Sequence, residues 1–443
     1  MLKTLKFPKI GIGVLSWAAF AASTFAQEEP ALDSGDTAWI LTSTALVLFM
    51  TIPALALFYG GLVRTKNVLS VLMQCLVLTA VLSIVWVVIG YSLAFDSTGM
   101  VKDEVGARAV IGTSAKAMMK GITGDTLSGT IPEVLFAAFQ MTFAVITPAL
   151  MIGAFAERMK FSAVLVFSTV WLFVVYIPVC HMTWAGEGGL FADWGVMDFA
   201  GGIVVHVTAG FAALAACIVI GPRHGYPTTL EPPHNMTMTV TGTAMLWVGW
   251  FGFNAGSALG ANGQAAMTLL VTHLSASVAT FVWMAIEWLK LGKPSVLGAA
   301  TGAIAGLAAI TPASGFVGPL GAIAIGTASA IICFIFATTI KQAFKYDDTL
   351  DVFGVHGVGG FLGTILCGVF ASTQFGGSVA DLNIAKQVGV QFTAAAITGV
   401  YAIVVSLILL KIIQATIGLR IPLDGENRGL DLTEHDERGY IFN

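Results

Sequence analysis

The chain is short of charge. Of its 443 residues only 10% are Asp, Glu, Lys or Arg, against about 25% in soluble domains, so the usual charged surface of a water-soluble protein is excluded. A formal net charge of −4 offers no basic excess to neutralise a nucleic-acid backbone. The five cysteines (Cys75, Cys180, Cys217, Cys333, Cys367) lie within or at the ends of apolar runs, with neither metal-ligand spacing nor a disulfide framework. They read as small buried apolar side chains. No Gly-x-x-x-x-Gly-Lys-[Ser/Thr] loop is present, so ATP-driven pumping has no support. A His-Glu-x-x-His pair, a Thr-Val-Gly-Tyr-Gly potassium filter and an arginine ladder of the voltage-sensor type are all missing. The apolar runs hold too few carboxylates for a proton-pumping chain. No cofactor and no enzyme chemistry are implied.

What is there is hydrophobic: 56% of the residues, with 50 glycines. Glycine inside apolar segments fits close contacts between membrane helices. Residues 1–26 read as a cleavable signal peptide: Lys3, Lys6 and Lys9 form a basic region, 10–22 an apolar one, and Thr24-Phe25-Ala26 a small-residue cleavage site. An uncleaved first helix is the alternative, although the run is short for a span. Eleven apolar stretches follow, at 37–63, 68–95, 131–156, 161–182, 198–221, 236–256, 264–289, 295–311, 316–340, 352–373 and 388–417. Most have the roughly 20 residues needed to cross. The period-two alternation of a membrane β-barrel is absent. The predicted fold class is therefore an all-α polytopic membrane protein of eleven transmembrane helices over 27–419, with a cytoplasmic tail at 420–443.

The basic residues orient it. With the mature N-terminus outside, thirteen of the 21 Lys and Arg fall on the cytoplasmic side, five outside and three in the signal peptide. Four of the five outer ones share the single long loop 96–130, where the positive-inside rule is weakest. The C-terminus is then cytoplasmic.

Two intervals recur in this frame. Asp198 precedes His206 by eight residues, and Asp348 precedes His356 by the same interval. Eight helical residues span roughly 12 Å, which would put each Asp at a helix start near one membrane face and each His near mid-depth. Ionisable groups there are functional candidates by default. Eleven spans divide as five, five and one. An odd repeat inserts its second copy upside down, giving a 5+5 inverted repeat with a site near the midplane. His206 and His356 then hold equivalent positions. Each Asp is a candidate helix N-cap, with Asp351 competing with Asp348. A lone histidine in a helix is more often a packing residue; two at equivalent positions favour function, with imidazole suited to a proton path. Two histidines without further Cys, Asp or Glu make a poor zinc site.

Aromatics supply a second feature. Phe139 and Phe143 share a helix face at four-residue spacing. Trp250, Phe253 and Ser257 end the sixth stretch, and Trp184 follows the fourth. The plain reading is core packing and an interfacial belt. The sharper one is an outer vestibule in which a Trp face attracts a cation, Ser257 offers an acceptor and Phe rings exclude water.

From residue 37 onward the chain resembles the ammonium transporter (Amt/Mep/Rh) family, in its bacterial Amt branch. The resemblance rests on Phe-Tyr-Gly-Gly-Leu-Val-Arg-Thr-Lys-Asn (58–67), Gly-Ala-Phe-Ala-Glu-Arg (153–158), Asp-Phe-Ala-Gly-Gly (198–202), Gly-Trp-Phe-Gly-Phe-Asn-Ala-Gly-Ser (249–257), Thr-Pro-Ala (311–313) and Asp-Val-Phe-Gly-Val-His-Gly (351–357). The segments Gly-Leu-Arg-Ile-Pro (418–422) and Gly-Leu-Asp (429–431) are similar to the family's tail. The resemblance implies a homotrimer of eleven-helix protomers in the cytoplasmic (inner) membrane, each with one narrow pore for ammonium or ammonia, and for methylammonium. It implies that His206 and His356 are the paired pore histidines and that Phe143 and Phe253 form the outer gate. Trp184 and Ser257 would be the recruitment site, with Phe139, Phe143 and Thr311 nearby and Asp198 as its supporting carboxylate. A PII-type regulatory protein is the implied cytoplasmic partner. The loop 185–197 departs from the family in being longer than the enterobacterial type. Alternatives are an electroneutral Rh-like NH3 channel and an ammonium sensor acting through a PII-type partner, the 24-residue tail being too short for a signalling domain of its own.

Overall fold

The computed structural model describes residues 31–229 and 232–441; the signal-peptide reading falls outside them. The described chain is mostly helical. Eleven long helices follow one another: α1 (Ser34–Leu62), α2 (Thr65–Phe95), α3 (Glu133–Phe155), α4 (Phe161–Trp184), α5 (Gly202–Ile220), α6 (Met236–Gly256), α7 (Gly263–Leu291), α8 (Val296–Ile310), α9 (Pro319–Phe344), α10 (Phe353–Phe370) and α11 (Ile384–Thr416). Among the described residues, nine of these are long and apolar enough to cross a membrane; α6 and α8 are not among those nine. The chain is a multi-pass membrane protein.

Side chains of α3 and α5 are buried nearly throughout, so these helices lie at the centre of the bundle. α2, α7 and α11 present long apolar faces outward. Small residues set the central spacing. A Cβ on Gly210 of α5 would collide with the backbone of Gly357 in α10, so the two helices approach to backbone contact there. The same packing brings Gly360 against His206.

α5 and α10 begin alike. Each opens with a π-helical turn carrying its histidine, Gly202–Val207 and Phe353–Gly357. Five residues before each histidine the backbone is left-handed, at Gly201 (φ 112°) and Asp351 (φ 59°). The interval from Asp198 to His206 is therefore not one continuous helix, contrary to the sequence expectation. The chain turns back at Gly201, and the aspartate folds onto the first turn rather than lying a straight 12 Å away.

At one end of the bundle the long loop between α2 and α3 is pinned by a hairpin, Leu127–Ser128 against Ile131–Pro132. At the other end the tail folds into two short helices, Leu423–Arg428 and Leu430–His435. Its carboxylates cap the body: Asp431 accepts the backbone N–H of Ser70 at 2.8 Å, and Glu434 that of Phe161 at 2.8 Å. Both donors lie in first helical turns, where N–H groups lack intrahelical partners.

Candidate functional site

A cavity of about 150 Å³ opens at the hairpin end and is lined by Phe136, Gln140, Trp184, Phe199, Ser257 and Leu259. The Trp184 indole is fixed because its Nε1–H donates to the Asp198 carbonyl at 2.8 Å. The Ser257 hydroxyl donates to the Phe253 carbonyl at 2.9 Å, which leaves the lone pairs of its oxygen to accept. Cation attraction and hydrogen-bond acceptance thus meet in one hollow.

Below it the path is closed by rings. Phe143 and Phe253 stack with centroids 4.3 Å apart and planes at 29°. Phe143 stands edge-on to Trp184 at 5.8 Å and 89°, and Phe139 packs edge-on to Phe143 at 5.1 Å. The three phenylalanines are almost wholly buried.

Beyond the rings His206 and His356 come together, Nδ1 to Nδ1, at 3.2 Å. Their rings lie 5.2 Å apart at 23°, and Trp250 covers His206 on another side at 5.6 Å and 23°. A single bond between two Nδ1 atoms needs one donor and one acceptor. Two neutral tautomeric arrangements supply it; two protonated rings do not. Among the described residues His206 Nε2 has no hydrogen-bond partner, although the ring borders a narrow apolar tract with Leu55, Phe58, Ile146, Val205 and Ile304. That tract has room for about 10 Å³, on the scale of one water. A polar atom left without a protein partner in such a tract is available to a small guest.

The tract opens at the tail end into a cavity of about 170 Å³ bordered by His356, Thr349, Asp351 and Arg223. Arg223, on its wall, belongs to a charged network. Glu157 lies 2.9 Å from Arg64 and 3.3 Å from Arg223, and Arg223 makes two 2.9 Å bonds to Asp347. Burial opposes ionisation of Glu157, but Arg223 and Arg64 outweigh it and hold its carboxyl below the ordinary value. Asp347 is likewise held low, the guanidinium of Arg223 overcoming burial. Arg158 is fully buried, and all its bonds go to oxygens, including the carbonyls of Gly221 and Asp347. It ties the ends of α3 and α5 to the segment leading into α10.

Asp198 lines none of the three cavities described above. Its carboxylate accepts four successive backbone N–H groups, from Gly201, Gly202, Ile203 and Val204, at 2.5–3.0 Å. These are the donors that the start of α5 leaves free. Asp348 does the lesser version for α10, accepting from Phe353 at 2.8 Å. Of the two aspartates that compete for this cap, Asp351 is drawn instead to Lys341 at 2.6 Å.

Trp184, Ser257, Phe143, Phe253, His206 and His356 therefore lie along one path. Phe139 supports it from behind. Thr311 is absent from the wall of the first cavity: its hydroxyl accepts from Trp250 Nε1 at 2.9 Å and donates to Leu307 at 2.8 Å, so it positions the indole over His206. Residue reading missed Gln140 and Phe199 in the cavity wall and the Glu157–Arg223–Asp347 network. Glu157 and Arg158 were visible as part of the motif at 153–158 and, for Arg158, as a loop charge, but neither was tied to Arg223 or Asp347.

Three comparisons bear on this arrangement. A model described as the Ammonium Transporter Family matches residues 38–440. Among curated relatives, the chain is 44% identical to an ammonium transporter of Bacillus subtilis, over 92% of this chain and 99% of that protein. It is 41% identical to an ammonium transporter of Aquifex aeolicus, over 99% and 100%. Among solved structures, Mep2 of Saccharomyces cerevisiae superposes with a TM-score of 0.80 at 33% identity, over 89% of this chain and 88% of that one. A protein described as a sensor Amt protein superposes with a TM-score of 0.83 at 27% identity, over 90% and 98%.

Proposed function

The chain belongs to the ammonium transporter family, a family of membrane transporters rather than enzymes, and we propose that it takes up ammonium across the cytoplasmic membrane by conducting ammonia through its own protomer. The carrying observation is the order of the path: a Trp–Ser hollow, a closed pair of Phe rings, then two histidines in a dry tract. Size does not separate ammonium from potassium, since the two ions are alike in radius. Desolvation does. Taking a cation out of water is costly unless the group can neutralise, and ammonium can shed a proton where potassium cannot.

In this reading NH4+ is recruited against the Trp184 face and the Ser257 oxygen. Phe143 and Phe253 part to admit it as it loses its proton to the His206–His356 pair, which relays that proton toward the tail-end cavity. Neutral ammonia then passes His206 and His356, hydrogen-bonding to the ring nitrogens, and is protonated again in the cavity beside Asp351. The proposal includes eleven spans as five, five and one, with the two repeats inverted; the matching π-turns and left-handed residues before each histidine support that equivalence. It includes a homotrimer, an outer mature N-terminus, a cytoplasmic tail, and a PII-type regulator reaching the tail-end cavity. The likeness to a sensor Amt protein bears on the alternative reading, an ammonium sensor.

The test is ammonium-dependent current and uptake in reconstituted vesicles, wild type against His206 and His356 variants. Uptake without potassium leak, altered by either substitution, is the expected result. If both variants kept wild-type uptake and potassium exclusion, the reading would fail. Uptake without current would instead favour the electroneutral channel.

A further inference from the structure

The connection between α4 and α5 ends in a stretch, 195–199, whose backbone is held by side chains of α11. Gln391 is completely buried. Its amide oxygen accepts the Met197 N–H at 2.8 Å, and its Nε2–H donates to the Met197 carbonyl at 2.7 Å. One amide thus engages both backbone groups of a single residue, as a neighbouring residue does in an antiparallel ladder. Its nitrogen also donates to the Thr364 carbonyl in α10 at 3.0 Å, and its oxygen takes a second bond from Gln387 Nε2 at 3.2 Å. A carboxamide offers two donor hydrogens and two acceptor lone pairs, and all four are used. Turned over, the amide would set its oxygen against the carbonyls of Met197 and Thr364, so its orientation is fixed by its partners. Gln387 Nε2 donates in addition to the Gly195 carbonyl at 2.8 Å.

What this clamp holds is the lead-in to the outer hollow. Met197 precedes Asp198, whose carbonyl accepts the Trp184 indole N–H at 2.8 Å. Phe199, one residue further, lines the hollow, and its N–H donates to the Pro312 carbonyl at 3.0 Å. The stretch is therefore tied at Gly195, Met197 and Phe199, and the Trp184 indole hangs from the residue between the last two. The lead-in to α10 is held differently, by Arg158, which donates to the Asp347 carbonyl and the Thr349 hydroxyl. A guanidinium beside the outer hollow would repel an arriving cation. A carboxamide supplies donors there without charge.

We propose that Gln391 is a positioning residue for ammonium recruitment: from α11 it holds Met197 and so fixes the Asp198 carbonyl to which the Trp184 indole is bonded. The inference rests on the recruitment reading above and deepens it by naming what sets the indole in place. Gln391 does not line the hollow, so its effect on the cation runs through the indole. The same clamp closes the loop 185–197, whose last residue is Met197.

Gln391→Leu keeps similar bulk and removes the four bonds. Initial uptake against ammonium is measured on the reconstituted full-length protein, for this variant alone and combined with Trp184→Leu. Gln391→Leu is expected to raise the half-saturating ammonium concentration several-fold, with less effect on the maximal rate per assembled protein. It should add nothing to the rise that Trp184→Leu already causes, because two changes acting through one group are not additive. A purely structural role would lower the yield or the rate and leave half-saturation where it was. That result overturns the proposal, as does a rise that multiplies with that of Trp184→Leu. A second readout is independent of transport: the fluorine resonance of Trp184 in fluorotryptophan-labelled protein, assigned by its absence in Trp184→Leu. It should be displaced in Gln391→Leu, and an unmoved resonance overturns the proposal. If Trp184→Leu itself left half-saturation unchanged, the recruitment reading would fall, while a displaced resonance would still assign Gln391 the placing of the indole. Should Gln391→Leu fail to assemble, Gln387→Ala removes only the bonds to Gly195 and to Gln391. It should displace the same resonance by a smaller amount, and no displacement there overturns the proposal.

Discussion

His206 and His356 stand 150 residues apart in the chain, yet their Nδ1 atoms meet at 3.2 Å. The bond between them joins α5 to α10, and the close crossing at Gly210 and Gly357 makes the meeting possible. Replacing His356 by Ala removes one ring and leaves the His206 imidazole without the one hydrogen-bond partner it has among the described residues, in a space that water can then fill. The expected outcome is a fall of roughly tenfold in the ammonium-to-potassium permeability ratio, equivalent to about 1.4 kcal/mol. Paired ion currents on reconstituted protein measure it. An unchanged ratio in both His206→Ala and His356→Ala would remove the pair from the selectivity mechanism.

Asp198 is expected to act on folding rather than on ligand. Asp198→Ala leaves four backbone donors unpaired at the start of α5, and each buried donor left unmade costs about 1–3 kcal/mol. Little assembled protein should be recovered. Asp198→Asn keeps one acceptor oxygen but turns an amide N–H toward the same donors, so it should fall between Ala and wild type. Thermal unfolding in mild detergent ranks the three. If Asp198→Ala melted with wild type but bound ammonium poorly, the carboxylate would be acting on the ligand itself.

These two cases show what one chain can and cannot disclose. The equal Asp-to-His intervals, the Phe spacing and the apolar stretches were legible because each belongs to one segment with one period. Trp250 over His206, and the use of Thr311 to hold that indole, depend on which faces of three helices meet, and a single helix pattern carries no such information. The left-handed turn at Gly201 was hidden because the sequence around it reads as uninterrupted apolar helix. Only the backbone conformation shows that Asp198 folds back to feed four donors. The Glu157–Arg223–Asp347 network was invisible for a similar reason: its members come from three separate connections.

That network sets an acid limit. The carboxyls of Glu157 and Asp347 are held below their ordinary values in the folded protein. A depressed carboxyl contributes stability that is present above its unfolded pKa and lost as pH falls through the folded one. The contribution should therefore be full above about pH 4.5 and fade below it. Glu157→Gln breaks a buried pairing with two arginines, a change that costs about 3–5 kcal/mol, and should flatten the acid limb of a melting-temperature curve against pH. A parallel acid limb in wild type and Glu157→Gln would exclude this network as its source.

The docked tail makes a prediction that transport assays alone would not show. Asp431 and Glu434 each accept an N–H at the start of a membrane helix, and loss of such a cap costs about 1 kcal/mol. Asp431→Ala and Glu434→Ala should each loosen the tail, and the double variant more so. Limited proteolysis of the purified protein should then cleave within 420–443 several-fold faster while the helical body stays intact. Equal cleavage rates would mean that the tail is held by its other contacts, such as that between Lys66 Nζ and the Asn427 carbonyl at 2.7 Å.

Trp184 is the residue whose replacement should separate recruitment from conduction. Its indole is held by the Asp198 carbonyl and flanked by the edge of Phe143, so the ring is preorganised before any cation arrives. A cation over such a face gains about 0.5–2 kcal/mol, which converts to roughly a 2- to 30-fold change in binding. Trp184→Leu should raise the ammonium concentration for half-maximal uptake by a factor in that range, with a smaller effect on the maximal rate, because the gate and the histidines lie further along. Trp184→Phe should fall between the two. Measuring initial uptake against ammonium at two pH values makes the result decisive. If the half-saturating concentration stayed put in Trp184→Leu and the rate followed the neutral ammonia present at each pH, the cation would not be the species recruited, and the gas-channel reading would replace this one.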